Sequence, residues 1–171
     1  MSKKIRLYVY HTNEDDPKKC SAKKLHRFGF AKIENRLKKI PKNAILLNPF
    51  AEKSLSKEDL ILAKRSGILA LDCSWENAEV RFKEFGKYYT SRALPFVIAV
   101  NPVNYGKPFK LTTLEAFATS LYILGQLEHA HEILKIYNWG PYFLIFNKQP
   151  LEEYRKAKNS KEIIKIMKQY I

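Results

Sequence analysis

The sequence has little that would insert the protein in a membrane, export it or cross-link it. No apolar run approaches the ~20 residues of a membrane helix, and the first ten residues lack the apolar core and small-residue site of a signal peptide. The two cysteines, Cys20 and Cys73, are too few for a disulfide framework, and their spacing is not a zinc motif. These absences predict a cytoplasmic protein with no membrane contact and no bound metal.

Acidic residues are also scarce. The chain of 171 residues has 31 Lys and Arg against 17 Asp and Glu, a formal net charge of +14. The excess is uneven, because residues 1–43 contain 13 basic and only 4 acidic side chains. A skewed basic charge favours a polyanionic partner, most commonly nucleic acid. A solvated lysine-rich surface is the alternative interpretation.

Widespread catalytic motifs are missing as well. The chain has no G-x-G-x-x-G, no P-loop and no H-E-x-x-H. His129 and His131 are two residues apart, so on a helix they point in different directions and make a poor metal pair. Chemistry therefore has to be sought in the places where predicted strands end.

Short apolar runs alternate with helical patterns along the first hundred residues, which predicts a parallel sheet. The predicted strands are Ile5 to Tyr10, a weak one at Phe30 to Glu34, Ala44 to Leu47, Ile68 to Leu71 and Phe96 to Val100. Polar turns follow three of them, at Asn48-Pro49, Asp72-Cys73-Ser74 and Asn101-Pro102. We expect these turns at one edge of the sheet, where α/β proteins bind ligands.

Helical signals dominate the rest of the chain. A short helix is predicted from Ser21 to Phe28, and Ser56 to Asp59 resembles a capping box for a helix that ends before Gly67. After Pro108 four amphipathic segments follow, the first marked by Leu114, Phe117, Ala118, Leu121 and Tyr122. The predicted fold class is α/β, with a parallel-sheet domain at 1–101 and a helical domain at 102–171.

Asp72 and Trp75 are the first candidates for chemistry. A carboxylate directly after a buried strand can hold a cation or accept a proton, although it can equally be a helix N-cap or a salt-bridge partner. An indole can face a positive ligand, or it can belong to the core. Together they suit S-adenosylmethionine, which carries a sulfonium, an ammonium and an adenine. Ser21, at a helix start, can offer its backbone N–H to a carboxylate.

Several motifs taken together resemble one family, the small-subunit rRNA aminocarboxypropyltransferases of ribosome biogenesis. They cover residues 5 to 155 in the family's order: Asp16-Pro17-Lys18-Lys19-Cys20-Ser21 with Lys24-Leu25, Asp72-Cys73-Ser74-Trp75, Arg92-Ala93-Leu94-Pro95, Asn101-Pro102-Val103-Asn104-Tyr105-Gly106, Leu111 with Glu115-Ala116, and Trp139-Gly140. The chain lacks a long acidic tail and so is similar to compact archaeal members.

The resemblance implies a fold and a reaction that the spacing of residues does not reveal. The implied fold is SPOUT-like, with a deep trefoil knot and an all-helical C-terminal part. The implied reaction moves the 3-amino-3-carboxypropyl group of S-adenosylmethionine to N3 of a pseudouridine, often methylated at N1, in small-subunit rRNA. The remaining alternatives are an rRNA methyltransferase of SPOUT type and a non-catalytic RNA-binding assembly factor.

The resemblance also implies roles for individual residues. Asp72 would bind the ammonium group or assist deprotonation of the base, and Trp75, with help from Ala78, would shield the methyl group. Further cofactor contacts are implied for Ser21, Leu47, Pro49, Leu71, Leu94, Phe109, Leu111, Thr113 and Ala116. Phosphate contacts to rRNA are expected from Lys18, Lys19, Lys23, Lys24, Arg27 and Arg36. The expected oligomeric state is a monomer.

Overall fold

The computed structural model describes residues 4–11, 21–72 and 75–171, without the side chains of residues 75 and 76. The chain divides into two compact units. The first consists of Met1–Glu52 and Ile61–Ala93, and the second of Lys53–Leu60 and Leu94–Ile171. The second unit continues without interruption from Leu94, whereas the domain boundary predicted from the sequence is at residue 101. The short segment Lys53–Leu60 also belongs to the second unit, although it lies between the two parts of the first.

The first unit is built on a five-stranded sheet in the order β2-β1-β4-β3-β5, and every strand pair is parallel. The strands are β1 (Leu7–His11), β2 (Lys32–Glu34), β3 (Ile45–Leu47), β4 (Ile68–Asp72) and β5 (Thr90–Arg92). The predicted parallel sheet is confirmed. Its last strand is one that the sequence does not predict, because Thr-Ser-Arg is short, polar and half-buried.

Three helices belong wholly or mainly to this unit, namely α1 (Ser21–Arg27), α2 (Leu60–Ser66) and α3 (Trp75–Phe85). The predicted capping box before α2 is confirmed, and Ser56 and Asp59 each bond to the other's backbone. Gly67 ends α2 with φ at +83°. A Cβ there would lie 2.7 Å from a ring carbon of Tyr8, so a glycine lets the chain turn directly into β4.

One face of the sheet packs on α3. Tyr8, Leu46 and Leu69 are neighbours across β1, β3 and β4 and share this face. Ala78, Phe82 and Phe85 meet them at helical spacing, and Tyr89 closes the cluster. Each fully buried large side chain of this kind contributes about 1.5–3 kcal/mol, which holds α3 against the sheet.

The second unit contains five further helices. They are α4 (Thr113–Ile123), α5 (Leu127–Leu134), α6 (Tyr142–Phe146), α7 (Lys148–Lys156) and α8 (Ser160–Met167). The amphipathic pattern after Pro108 is confirmed as α4, whose apolar positions are buried, and Gly125 with φ at +81° follows its end.

The prediction that Phe96 to Val100 is a strand of the parallel sheet is wrong. This run lies in the second unit, where it pairs antiparallel with residues 107–109 through an Ile98–Pro108 bridge. Ala99 N–H donates to the Lys107 carbonyl at 3.0 Å. The Asn147 side-chain amide accepts from Ile98 N–H at 2.7 Å and donates to its carbonyl at 2.9 Å. Ile98 is thereby satisfied without any neighbouring parallel strand.

The expectation of a SPOUT-like deep trefoil knot with an all-helical C-terminal part is also wrong. The described residues form an α/β fold with one five-stranded parallel sheet and eight α-helices. The part after residue 101 is not purely helical, because residues 107–109 supply one side of the antiparallel pairing. An apolar run is buried equally well by a sheet or by packed helices, so hydrophobicity could not decide between these arrangements.

Candidate functional site

The carboxyl edge of the parallel sheet carries the most concentrated polar chemistry of the first unit. β1 and β4 run side by side in register and end together, at His11 and Asp72. β3 and β5 end at Leu47 and Arg92, which are also register partners. Because all strands are parallel, these four chain ends lie on the same edge, as predicted for Asp72 and Asn48. The third predicted turn, at Asn101, follows a run that is not a strand of this sheet.

His11 and Asp72 form a buried pair at this edge. The imidazole Nε2 lies 3.2 Å from a carboxylate oxygen of Asp72, and the two side chains are only 3% and 10% exposed. A carboxylate held beside an imidazole in a buried site can keep a proton or a positive group in place. Sequence reasoning missed His11, which it placed in the loop after β1. The signal was its position directly after an apolar run, the same signal that identified Asp72.

Asn48 fixes the turn that follows β3. Its backbone N–H donates to the Arg92 carbonyl at 2.8 Å, and its side-chain amide donates to the Ser91 hydroxyl at 3.1 Å. Its side-chain oxygen accepts from Phe50 N–H at 2.9 Å. These bonds tie the turn to β5 and leave Pro49 exposed beside it.

The remaining predicted cofactor residues of the first unit differ in their surroundings. Ser21 is buried as the first residue of α1, and Leu47 is buried at the end of β3. Leu71 is half-buried, and both it and Ala78 pack in the core cluster on α3. Trp75 is the first residue of α3, but its side chain lies outside the described part of the structure.

The other predicted cofactor residues belong to the second unit. Leu94, Leu111, Thr113 and Ala116 are half-buried, and the last three surround the start of α4. Phe109 is exposed and has a positive φ of 63°. Its ring makes an edge-on contact with Phe96, with the centroids 5.7 Å apart.

Glu115 organises the loop before α4, a role that the sequence reading missed. Its fully buried carboxylate accepts bonds from the backbone N–H groups of Val100, Asn101 and Thr112, at 2.7, 3.3 and 3.0 Å. The Asn101 amide at 2.7 Å and the Thr112 hydroxyl at 3.1 Å add two more. The signal was the capping box Thr112-Thr113-Leu114-Glu115, which the structure confirms. Five uncharged donors thus hold residues 100–112 in one conformation.

The predicted RNA-contacting residues are only partly described. Lys18 and Lys19 lie outside the described residues. Lys23 and Lys24 are half-buried on α1, and Arg27 and Arg36 are exposed. All four belong to the first unit.

Comparison with known proteins identifies the family of this chain. The family described as "Ribosome biogenesis protein, C-terminal" matches residues 45–171. A protein of Methanosarcina mazei named 16S rRNA aminocarboxypropyltransferase is 50% identical over 99% of this chain and 97% of its own length. The chain belongs to this family. A protein of the same name from Methanocaldococcus jannaschii is 43% identical over 97% of this chain and 96% of its own length.

A solved structure of the family matches the fold as well. The SAM-dependent rRNA:acp-transferase Tsr3 from Vulcanisaeta distributa aligns with a TM-score of 0.86 and 37% identity, over 97% of this chain and 95% of that one. The likeness to an aminocarboxypropyltransferase structure replaces the SPOUT-like fold that the motifs implied.

A second description, of a possible Fer4-like domain in RNase L inhibitor, matches residues 5–39 of this aminocarboxypropyltransferase family member. Iron–sulfur clusters of that type are held by four cysteine thiolates. Residues 5–39 contain one cysteine, Cys20, and the whole chain contains two. The residues present do not fit such a cluster, so this match adds no function.

Within residues 4–11, 21–72 and 75–171, no three His, Cys, Asp or Glu side chains are grouped so that they could hold a metal ion. Within the same ranges, no helix has the length and apolar character needed to span a membrane.

Proposed function

We propose that this protein transfers the 3-amino-3-carboxypropyl group of S-adenosylmethionine to small-subunit rRNA, at N3 of a pseudouridine that is often methylated at N1. The observation that carries the proposal is the full-length similarity to 16S rRNA aminocarboxypropyltransferases. The buried Asp72 at the carboxyl edge of the sheet supports it, because an anionic site suits a cationic donor molecule.

S-adenosylmethionine supplies a sulfonium that activates three attached carbons, so the carbon aligned with the nucleophile is the one transferred. The protein's task is therefore one of orientation. Asp72 is suited to bind the ammonium of the aminocarboxypropyl arm or to accept the proton of the base. His11, at 3.2 Å, is suited to hold the Asp72 carboxylate in one rotamer for either role.

The other assignments are proposed for each unit separately. In the first unit, Trp75 and Ala78 shield the methyl group, the Ser21 backbone binds the arm, and Leu47, Pro49 and Leu71 contact the nucleoside part. In the second unit, contacts with the nucleoside part of the cofactor are proposed for Leu94, Phe109, Leu111, Thr113 and Ala116. Lys18, Lys19, Lys23, Lys24, Arg27 and Arg36 bind rRNA phosphates, an interaction that salt weakens.

We also propose that the protein acts as a monomer and in the cytoplasm, where small subunits are assembled. Sedimentation of the purified protein in the presence and absence of rRNA tests the first point. A stable dimer in both conditions would contradict it.

Labelled donor molecules test the reaction directly. Small-subunit rRNA that lacks the modification is incubated with the protein and S-adenosylmethionine labelled either on the methyl group or on the carboxypropyl arm. We expect label in RNA from the arm alone. Label from the methyl group alone would identify a methyltransferase, and no calorimetric binding of S-adenosylmethionine would favour a non-catalytic assembly factor.

The Asp72→Asn variant then separates the two roles of the carboxylate. If Asp72 binds the ammonium, the Kd for S-adenosylmethionine rises, with a loss of about 1.5–3 kcal/mol for a charged hydrogen bond. If it accepts the proton, kcat falls by about 10²–10⁴-fold while the Kd is retained. The matched control is Glu58→Gln, an exposed carboxylate that should change neither. Wild-type turnover in Asp72→Asn would refute both roles.

A further inference from the structure

Two large aromatic side chains of the second unit are solvent-exposed and contact each other. Tyr105 is 64% exposed and Phe146 is 51% exposed, yet their rings touch edge to face with centroids 5.9 Å apart. We call this pair the aromatic platform. The same chain segments also expose Val103, Tyr142 and Ile145. Exposed apolar groups that are clustered in this way usually mark an interaction site.

The aromatic platform is held in place by hydrogen bonds of its neighbouring residues. On one side, Asn104 N–H donates to the Asn101 side chain at 2.9 Å, and Gly106 N–H donates to the Ala99 carbonyl at 2.8 Å, which fixes Tyr105 between them. On the other side, Phe146 directly precedes Asn147, whose buried side-chain amide makes two hydrogen bonds with the backbone of Ile98. Both rings are therefore anchored to the same short stretch, residues 98–101. Such pre-organisation reduces the entropy lost on binding.

The charge around the aromatic platform selects the class of partner. Residues 94–114 and 133–151, which carry both rings, contain no Asp or Glu, while their basic residues are Lys107, Lys110, Lys135 and Lys148. Lys107 and Lys148 each lie two residues from a platform ring, and both are exposed. A cationic surface with exposed aromatic rings is the arrangement that binds single-stranded nucleic acid, in which phosphates meet cations and bases stack on rings.

We propose that Tyr105 and Phe146 stack on unpaired bases of the substrate rRNA. This inference rests on the proposed function for the identity of the RNA, and on the geometry of the second unit for the mode of binding. A modified base has to be unstacked before it can react. A rigid stacking surface would bind the unpaired bases of an RNA opened in this way.

Binding of defined RNAs tests the proposal without any need for turnover. Wild type, Tyr105→Ala, Phe146→Ala and the double variant are titrated with a short single-stranded oligouridylate and with an RNA duplex of equal length. Tyr105→Phe and Phe146→Tyr keep the rings, and Tyr88→Ala removes an exposed ring from the first unit. Calorimetry with S-adenosylmethionine and a thermal melt report on the fold of each variant.

We expect the Kd for the single strand to rise about tenfold for each ring removed, with duplex affinity, S-adenosylmethionine affinity and thermal midpoint unchanged. The ring-preserving variants and Tyr88→Ala should bind as wild type. The dependence of log Kd on log salt should keep its slope in the ring variants, whereas Lys107→Ala and Lys148→Ala should each lower it by about 1.

An unchanged single-strand Kd in the double variant would overturn the proposal, as would an equal loss on the duplex. Loss of binding to assembled small subunits with full affinity for naked RNA would also overturn it and would assign the rings to a protein partner. A protein that lacks transferase activity, but whose ring variants lose single-strand affinity, would refute the proposed function and leave the aromatic platform standing. Active transfer together with wild-type RNA affinity in the ring variants would support the proposed function and refute base stacking on the aromatic platform.

Discussion

Replacing Glu115 by glutamine should destabilise the second unit although it removes no volume. The carboxylate accepts two bonds on one oxygen, from the backbone N–H groups of Val100 and Asn101, and three on the other. A glutamine offers one carbonyl oxygen, and its NH₂ group faces the remaining donors. Whichever way the amide turns, at least two donors lose their acceptor.

The magnitude follows from the burial of those donors. A buried donor without an acceptor costs about 1–3 kcal/mol, so Glu115→Gln should lower the free energy of unfolding by about 3 kcal/mol. Glu115→Ala deprives all five donors and leaves a cavity, so its loss should be larger, about 4–5 kcal/mol. None of the five donors is a basic side chain. The loss of stability in both Glu115 variants should therefore arise from hydrogen bonding and not from an ion pair.

Urea unfolding followed by circular dichroism and by tryptophan fluorescence measures both values. Glu128→Gln on α5 makes the same chemical change at an exposed position and should stay within about 0.5 kcal/mol of wild type. If Glu115→Gln also stayed within that range, the carboxylate would not be what holds residues 100–112, and the account of this loop would fail.

Substitutions at three further positions have consequences that can be measured. Gly67→Ala places a Cβ 2.7 Å from the Tyr8 ring at a positive φ, so we expect a loss of about 2 kcal/mol or more in a thermal melt; an unchanged midpoint would contradict this. Asn147→Leu keeps the branched shape but removes the hydrogen bonds to Ile98, at about 2–3 kcal/mol. Asn147→Asp keeps the acceptor for Ile98 N–H but turns a carboxylate oxygen toward the Ile98 and Phe143 carbonyls, so it should lose at least as much in the same melt. Burial and the hydrogen bond to Glu152 raise the pKa of Tyr122 from 10.0 to about 12. Between these two pH values the unfolded state therefore loses a phenol proton that the folded state keeps. Stability should therefore fall between pH 10 and pH 12, by at most about 2–3 kcal/mol, and Tyr122→Phe should remove that part of the decline in unfolding curves measured at each pH.

Two errors of the sequence-based interpretation, the 96–100 run and the missing β5, each have a physical cause. Phe96 to Val100 has the composition of a buried parallel strand, and nothing local distinguishes it from a run that is buried among helices. What decided its pairing was Asn147, almost fifty residues away, whose amide satisfies the Ile98 backbone. β5 was missed for the opposite reason. Its half-buried residues pair with β3 and bond to Asn48 in the turn after β3, so the strand depends on these partners and has no pattern of its own.

The site was predicted in the same uneven way. Asp72 was identified because a lone carboxylate after an apolar run is conspicuous at the end of any buried strand. His11 became its partner only through the register of β1 on β4, which pairs those two positions. The predicted cofactor residues belong to both units, and their order in the sequence does not determine their positions in space.

The amino-acid sequence by itself determined the local elements: the parallel strands with polar ends, the capping box at Ser56, the amphipathic α4 and the basic charge of the first forty residues. These depend on periodicity, capping and composition, which act over a few residues. Only the tertiary structure decided which strands are neighbours, where the 96–100 run pairs, and that Glu115 is buried among five donors. Those outcomes depend on contacts between separate segments, such as β1 with β4, Asn147 with Ile98, and Glu115 with residues 100 and 101, and their energies exist only after the chain has folded.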